Sequence, residues 1–592
     1  MNLIEQNLDK IYELCRKDKV NIMKQFVKNF YSNLIIISVL LSVFTTARAY
    51  DFQIDGLSFD ILSEEDRTVE VVSPERLGLL KGVVIVPETV EYDNKTYTVI
   101  SIGQFAFWSE EYVTEFILPN SLLTIGPQSF INCKRITSIT LPESVIKIET
   151  NAFENCESLK TVTLSENLRE IGQEAFRGCV SLESIYIPAS VTDIGFEPFM
   201  ETYSMKWIEV SPDNPNYASY DGVLYDKDLG ALQSCPGGKE TIKLPQSLWF
   251  FDPGFLSECR SLKEFIVPED FYLQVYDGAL YNSDYTVLLK CPGGRDEIKL
   301  HENLEVISAF SFAGCHLLKT IDLPDIPTIP YCAFRDCLSL TELQIPETVS
   351  SIGSYAFYNC PSLLNLEIPD VVNSIGLMAF EQCFSLQHIK LPKNLDKIED
   401  RLFVYCTSLL EIDIPKGVTS IGHSAFWWCD SLEKVKIPDT VTFIDDMAFN
   451  TCSSLKEIVL PSSLTYLGND AFVNDRLKSV VSLAKKVPEL GSDCFAYIEC
   501  PLYVYESVLE DYKNSDWAQN FTEILPLNET LYPEDEDNGG IESLFANPDL
   551  KISIFTTAGN LFKSDCGKDE LKKLPKGIYI VVSGKDRFKI II

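Results

Sequence analysis

The sequence predicts a repeat solenoid, a stack of short coils of about 23 residues with a parallel β-sheet along one face. Three observations carry that reading. First, one line recurs: "IGSYAFYNCPSLLNLEIP" at 352–369 returns as "IGLMAFEQCFSLQHIKLP" at 375–392. Second, a Phe recurs at a fixed step. Phe107, Phe130, Phe153, Phe176 and Phe199 are each 23 residues apart, and the rhythm resumes from Phe312 through Phe334, Phe357, Phe380, Phe403, Phe426, Phe449, Phe472 and Phe495. Third, a Cys follows the Phe by three residues in nearly every copy. About fifteen copies are countable, one of them at 254–268 inside the gap. One coil cannot bury its own apolar face, so many must stack.

Taken in order, the chain opens on a leader. Lys24 and Lys28 precede the apolar run "LIIISVLLSVF", and Ala47 and Ala49 have the spacing of an A-x-A cleavage site. Residues 1–49 therefore read as a secretory signal peptide, with Met23 as an alternative start and 1–22 as an extension. The alternative is a membrane anchor, for which the run is short. Residues 50–95 read as an N-terminal β cap and 96–499 as the solenoid. Within each copy, L-x-x-I-x-L alternates and reads as a strand, which the following Pro ends. The Gly, Ala-Phe and Cys segment is long enough for one turn of helix.

Two inserts interrupt the array near 211–245 and 268–300. "NYASYDGVLYDKDLGALQSCPGG" and "FYLQVYDGALYNSDYTVLLKCPGG" are copies of each other, and each reads as a β-hairpin on the coil edge, or as an enlarged coil. Residues 500–528 read as a C-terminal cap and 529–540, with "YPEDEDNGG", as an acidic linker. Residues 541–592 hold short alternating strands and read as a small β-sandwich-like domain.

These lines resemble the BspA-like leucine-rich repeat family of bacterial surface proteins over roughly residues 50–528. The resemblance rests on the in-register repeat, on the opening "YDFQIDGLSFDILSEEDRTVEVV" and on "LYVYESVLEDYKNSDWAQNFTEI". It implies a leucine-rich-repeat solenoid that adheres to host or neighbouring-cell surface proteins. The ending, through "ISIFTTAGNLF" and "LPKGIYIV", resembles the sorting domain of the type IX secretion system. That implies an export address, display at the cell surface or outer membrane, or release outside the cell.

Composition excludes some functions. The chain carries 50 Lys and Arg against 86 Asp and Glu, a net charge of -36, which argues against nucleic acid. Its four His, His301, His316, His388 and His423, form no metal-binding motif, and no nucleophile elbow or phosphate loop is present. The reading is a protein with no catalytic residues, no metal and no cofactor.

Eleven of the 18 Cys share the repeat position after Phe, which reads as a buried packing column. Outside it, Cys235 and Cys291 occupy matching places in the inserts and form the candidate disulfide, with Cys494 and Cys500 next.

The outward strand positions supply the candidate binding residues. One column runs Gln344, Glu367, Lys390, Asp413, Lys436, Val459; its neighbour runs Glu342, Asn365, His388, Glu411, Lys434, Glu457. Strands ~4.8 Å apart make these charge ladders that fix register or face a ligand. Upstream, the same columns hold Tyr186, Trp207 and Glu209, where exposed aromatics beside the first insert suit a contact with protein or glycan. The partner expected is a protein on an external surface, or a glycan. A surface-layer component is the alternative to a binding protein.

Overall fold

The computed structural model describes residues 50–74, 78, 80–474 and 476–527, plus four strands of the tail, Ile552–Thr556, Leu561–Cys566, Ile578–Ser583 and Asp586–Ile591. The expected signal segment at 1–49 and the linker at 529–540 lie outside the described residues. The four tail strands form one antiparallel sheet.

The solenoid is as the repeat predicts, with about 19 turns of roughly 23 residues. It has two parallel ladders rather than one. The expected strand of L-x-x-I-x-L builds the longer ladder, as in Asn365–Glu367, His388–Lys390, Glu411–Asp413 and Lys434–Lys436. A second, two-residue strand precedes the turn segment in most copies, as in Ser351–Ile352, Ser374–Ile375 and Lys397–Ile398. Two residues are too few to show a period in sequence.

The expected turn of helix is also corrected. The Ala-Phe-Cys segment is a pair of tight turns, with a left-handed residue two places before and two after the Phe: Gln128 and Asn132, Asn151 and Asn155, Tyr355 and Asn359. The backbone between them bonds to the next coil, Phe130 N–H to Ala152 O and Asn132 N–H to Glu154 O, both at 2.8 Å. Asn and Gly at the later position suit that left-handed geometry.

Side chains stack in columns inside. Phe130, Phe153 and Phe176 lie parallel with centroids 5.1 and 5.3 Å apart, and Phe357, Phe380 and Phe403 continue at 5.3 and 5.7 Å. Nine of the eleven column Cys donate their thiol to the Phe carbonyl of the preceding coil, as Cys156 does to Phe130 O at 3.2 Å and Cys360 to Phe334 O at 3.1 Å; Cys259 and Cys315, which follow the inserts, turn to Cys235 O and Cys291 O instead.

The ends are closed. At the start, Phe52–Ile54, Leu57–Ser63 and Thr68–Val72 form an antiparallel meander that joins the short-strand ladder through Lys95–Ile102. At the far end Trp517 and Phe521 cover Phe495, and the Trp517 indole donates to Pro488 O at 3.0 Å.

Each insert is a three-stranded meander, one strand more than the hairpin expected. In the first, Tyr217–Tyr220, Val223–Asp226 and Leu232–Ser234 pair antiparallel; in the second, Leu273–Tyr276, Ala279–Asn282 and Val287–Lys290 do. Asp-Gly makes the first turn of each, with Asp221 at φ 50°, Gly222 at 76°, Asp277 at 45° and Gly278 at 79°, the sign a two-residue hairpin turn needs. The "CPGG" that follows replaces the Ala-Phe turn, so each insert coil is thick on one edge and short on the other. The missing donor to Ala313 O is replaced in the second insert by Lys290, which is 1% exposed and donates to that carbonyl at 2.6 Å and to Phe310 O, already bonded by the Ala313 N–H, at 2.9 Å.

The disulfide expected between Cys235 and Cys291 is not formed. Both are free buried thiols, and so are Cys494 and Cys500. Cys235 abuts Cys259 and Cys291 abuts Cys315, since "CPGG" places each insert Cys against the packing column instead of against its copy.

Candidate binding surface

The longer ladder presents its alternate residues to solvent. His388, Lys390, Glu411, Asp413 and Lys436 are exposed and Lys434 is half-buried, while the residues between them, Ile389, Ile412 and Val435, point into the core. Register places Glu367 beside Lys390, Glu411 beside Lys434 and Asp413 beside Lys436. Only the first of these pairs closes as an ion pair in the described residues, Lys390 Nζ to Glu367 Oε2 at 3.6 Å, and both partners are well exposed. Such a pair is worth at most about 1 kcal/mol. The column does not continue to Val459, which is buried.

This stretch is concave. A depression of ≈ 970 Å³ runs over Glu342–Glu347, Asn365–Asp370, His388–Leu391, Glu411 and Asp413. Its charged lining is six carboxylates (Glu342, Glu347, Glu367, Asp370, Glu411, Asp413) against Lys390, with His388 among them. Regular strand pairing lapses between Glu264–Ile266 and Asn365–Glu367, so the depression opens where the ladder resumes.

The upstream half of the same face differs. After Glu115, its outward residues are Ser138, Thr140, Thr161, Thr163, Ser184 and Tyr186, with no further charge until Glu209. Tyr186 is 42% and Trp207 46% exposed, and register sets Tyr186 beside Glu209 and Trp207 beside Ser184. The first insert folds back onto Trp207. Ile208 N–H bonds Gly222 O at 2.9 Å, and a Cβ on Gly222 would stand 2.7 Å from the indole. Lys239, paired with Asp221 at 3.1 Å, lies 4.7 Å over the ring. One face of Trp207 is thus occupied from within, a cation–π contact of about 1 kcal/mol. The insert does not project past this corner; it leans on it.

The opposite, turn-bearing edge carries polar groups that strand periodicity does not reveal. Arg177 bonds Glu174 and Glu201, both at 3.0 Å, beside Glu154, whose carboxylate burial raises to about 7. Tyr203 donates to Glu258 at 3.1 Å under Arg260. Further along lie Tyr331, Tyr355, Tyr358, Tyr405, Trp427 and Trp428, all outside the Phe column. The available signal was aromatic residues at variable positions flanking the Phe of consecutive copies. Among the described residues no three His, Cys, Asp or Glu are grouped to hold a metal, and no helix is long and apolar enough to cross a membrane.

Stacked coils, a ladder of outward side chains and a capped core define a leucine-rich-repeat protein. The BspA type leucine-rich repeat region matches residues 94–216, 290–409 and 373–501, more than half of the chain, and the protein belongs to that family. Its members are generally surface-associated and typically non-enzymatic. Among solved structures, a leucine-rich repeat protein from Bacteroides ovatus is 26% identical, covering 80% of this chain and all of that one, with a TM-score of 0.32. A leucine-rich cell surface protein from Faecalibacterium prausnitzii is 23% identical over 70% of this chain and 94% of its own, TM-score 0.34. The pneumococcal vaccine antigen PcpA is 18% identical over 81% and 98%, TM-score 0.29. No curated protein matches the chain.

Proposed function

We propose that the protein is an exported, surface-displayed, non-enzymatic binding protein whose concave strand face holds a protein on a host or neighbouring cell. One observation carries this: the ≈ 970 Å³ depression lies on the strands whose outward side chains are polar and exposed, and its lining is six carboxylates to one lysine. An acidic depression on a chain of net charge -36 selects a partner that presents Lys and Arg. Glu411 and Asp413 are central contacts in this reading. Tyr186 and Trp207 form its neutral shoulder. Export by a leading signal peptide and a tail that acts as a sorting address completes the proposal; deleting 541–592 should then hold the protein in the periplasm, and unaltered surface display would reject the address.

The binding test uses the purified protein, a panel of extracellular-matrix and bacterial surface proteins, and an extended Lys/Arg-rich peptide. Glu411→Lys with Asp413→Lys should abolish binding of the basic partner at unchanged melting temperature, and added salt should weaken the wild-type complex. Trp207→Ala with Tyr186→Ala should weaken it less. Full binding by the charge-reversed protein removes the depression as the site.

A further inference from the structure

We infer that the turn-bearing edge between Tyr331 and Trp428 is a second binding site, away from the concave strands, for an extended, uncharged β-linked glycan. The rings there form two groups. Tyr331 meets Tyr355 edge-on and Tyr355 tilts against Tyr358, with centroids 5.8 and 5.7 Å apart. Tyr405 contacts Trp427 at 5.6 Å and Trp428 at 5.8 Å. None belongs to the core, and all keep part of their surface in solvent, Tyr331 most at 47%.

Three independent features point to a sugar. The first is backbone cost. Tyr405 and Trp428 stand at φ 60° and 62°, at the repeat position that Asn132, Asn155, Asn359 and Gly178 fill in some coils and Gln382, Thr451 and Tyr497 in others, and Tyr355 stands at 57° where Asn151, Phe310 and Met378 do. A bulky ring in the left-handed region costs roughly 1 kcal/mol or more that an Asn at the same position would spare. The second is charge. Arg335 pairs with Asp336 at 3.0 Å and lies over Tyr358, and Arg401 pairs with Glu381 at 2.6 Å. The edge is locally neutral on a strongly acidic chain, with planar donors and acceptors beside ring faces, which suits a ligand with apolar CH faces and hydroxyl rims. The third is spacing. Two coil steps, 5.3 and 5.7 Å at the Phe column, separate the coil of Tyr358 from that of Tyr405. An extended β-linked glycan turns the same face outward every second sugar, a repeat close to two such steps, so both ring groups meet equivalent faces of one chain. A protein partner needs a patch of ~800 Å² per side, which an edge one turn wide does not offer.

The test titrates the intact protein with cellohexaose, mannohexaose and chitohexaose, and with the dimer of each, by calorimetry and by tryptophan emission. At least one hexamer should bind, more tightly than its dimer, and shift the emission. Tyr355→Asn with Tyr405→Asn and Trp428→Asn installs the residue other coils use, so the melting temperature should hold or rise while glycan affinity falls roughly tenfold or more. The Glu411→Lys and Asp413→Lys protein should bind the glycan as wild type does, which separates this site from the concave one. No binding of any hexamer overturns the inference, as does binding that survives the triple substitution. Loss of a protein ligand rather than glycan in the triple variant would overturn it too, and assign the edge to protein.

Discussion

A single cysteine shows how the repeat is economical. Cys360 fills a small apolar slot and bonds the Phe334 carbonyl, two tasks for one short side chain. Burial pushes the Cys383 thiol up to about 12 and lifts Cys156, Cys360, Cys406 and Cys429 well above the ordinary range, so none of these is a ready nucleophile. We expect a thiol reagent to label few of the column cysteines in the folded protein and nearly all after denaturation; rapid labelling in the folded state would refute the packing role. Cys360→Ala should cost about 1 kcal/mol through a lost contact and a lost hydrogen bond, since the Phe334 carbonyl keeps the Cys337 N–H at 3.3 Å. Lys290 is the sharper case. Among the described residues its ammonium has no carboxylate partner; it answers the Ala313 carbonyl, which a regular coil would have paired, and shares the Phe310 carbonyl with the Ala313 N–H. Lys290→Met should destabilise by about 1–3 kcal/mol, read as a lower denaturation midpoint, because the buried Ala313 carbonyl loses its donor and the Phe310 carbonyl keeps only the Ala313 N–H. Unchanged stability would mean they find other donors.

At the scale of elements, the long strand of each coil was legible because Ile412 and Ile414, flanked by polar outward residues, alternate and end at Pro415. The short strand at Lys397–Ile398 was not, being two residues long and defined by partners one coil away. The inserts' copies were visible in sequence; their leaning on Trp207 was not, since it depends on Asp221-Gly222 turning the chain back. Nor could spacing reveal that Cys235 and Cys291 face different coils. The outward order of His388, Lys390, Glu411 and Asp413 followed from strand alternation alone, whereas the hollow they line depends on the lapse of pairing before Asn365–Glu367.

The turn edge around the first insert has a pH consequence. Desolvation raises Glu154 and Glu197 to about 7 from an ordinary 4.5. Around Glu154 stand Arg177, Glu174, Glu201 and Asn151; around Glu197 stand Glu174, Arg335, Glu258 and Arg177. Between those values the folded state holds protons that the unfolded chain has released. Their contribution is therefore fullest below 4.5 and is lost as pH rises through 7. His316, lowered by burial and by Arg260, works the other way below 6.5, so the comparison is cleanest above that value. Stability should be on the order of 1–2 kcal/mol greater at pH 6.5 than at pH 8, and Glu154→Gln should reduce the difference without abolishing it, since burial raises Glu258 and Glu381 as well. A flat profile over that interval would show that both carboxylates stay ionised.

Across the whole molecule the core is not one body. One cluster runs from Phe52 to Leu224, a second lies within the inserts from Val223 to Leu280, and a third runs from Ala279 to Leu527. The Phe column breaks at the same place, between Phe199 and Phe312, where Leu256 stands in for the ring. Because each coil contacts only its neighbours, coupling is weakest where columns are interrupted. Calorimetry should resolve at least two unfolding transitions, with limited proteolysis cutting first near the inserts. A single transition with matching calorimetric and van't Hoff enthalpies would show that the inserts transmit full cooperativity.

The coil-to-coil hydrogen bonds, such as Phe153 N–H to Ala175 O at 2.8 Å, point along the stack. A pull on the two ends therefore loads them one coil after another and never as a sheared bundle. Each coil that yields frees about 23 residues, lengthening the tether by roughly 70–75 Å. Tension along the stack would be spent in such increments, and single-molecule stretching should record a staircase with that tread, in which the rungs beside the inserts give way first.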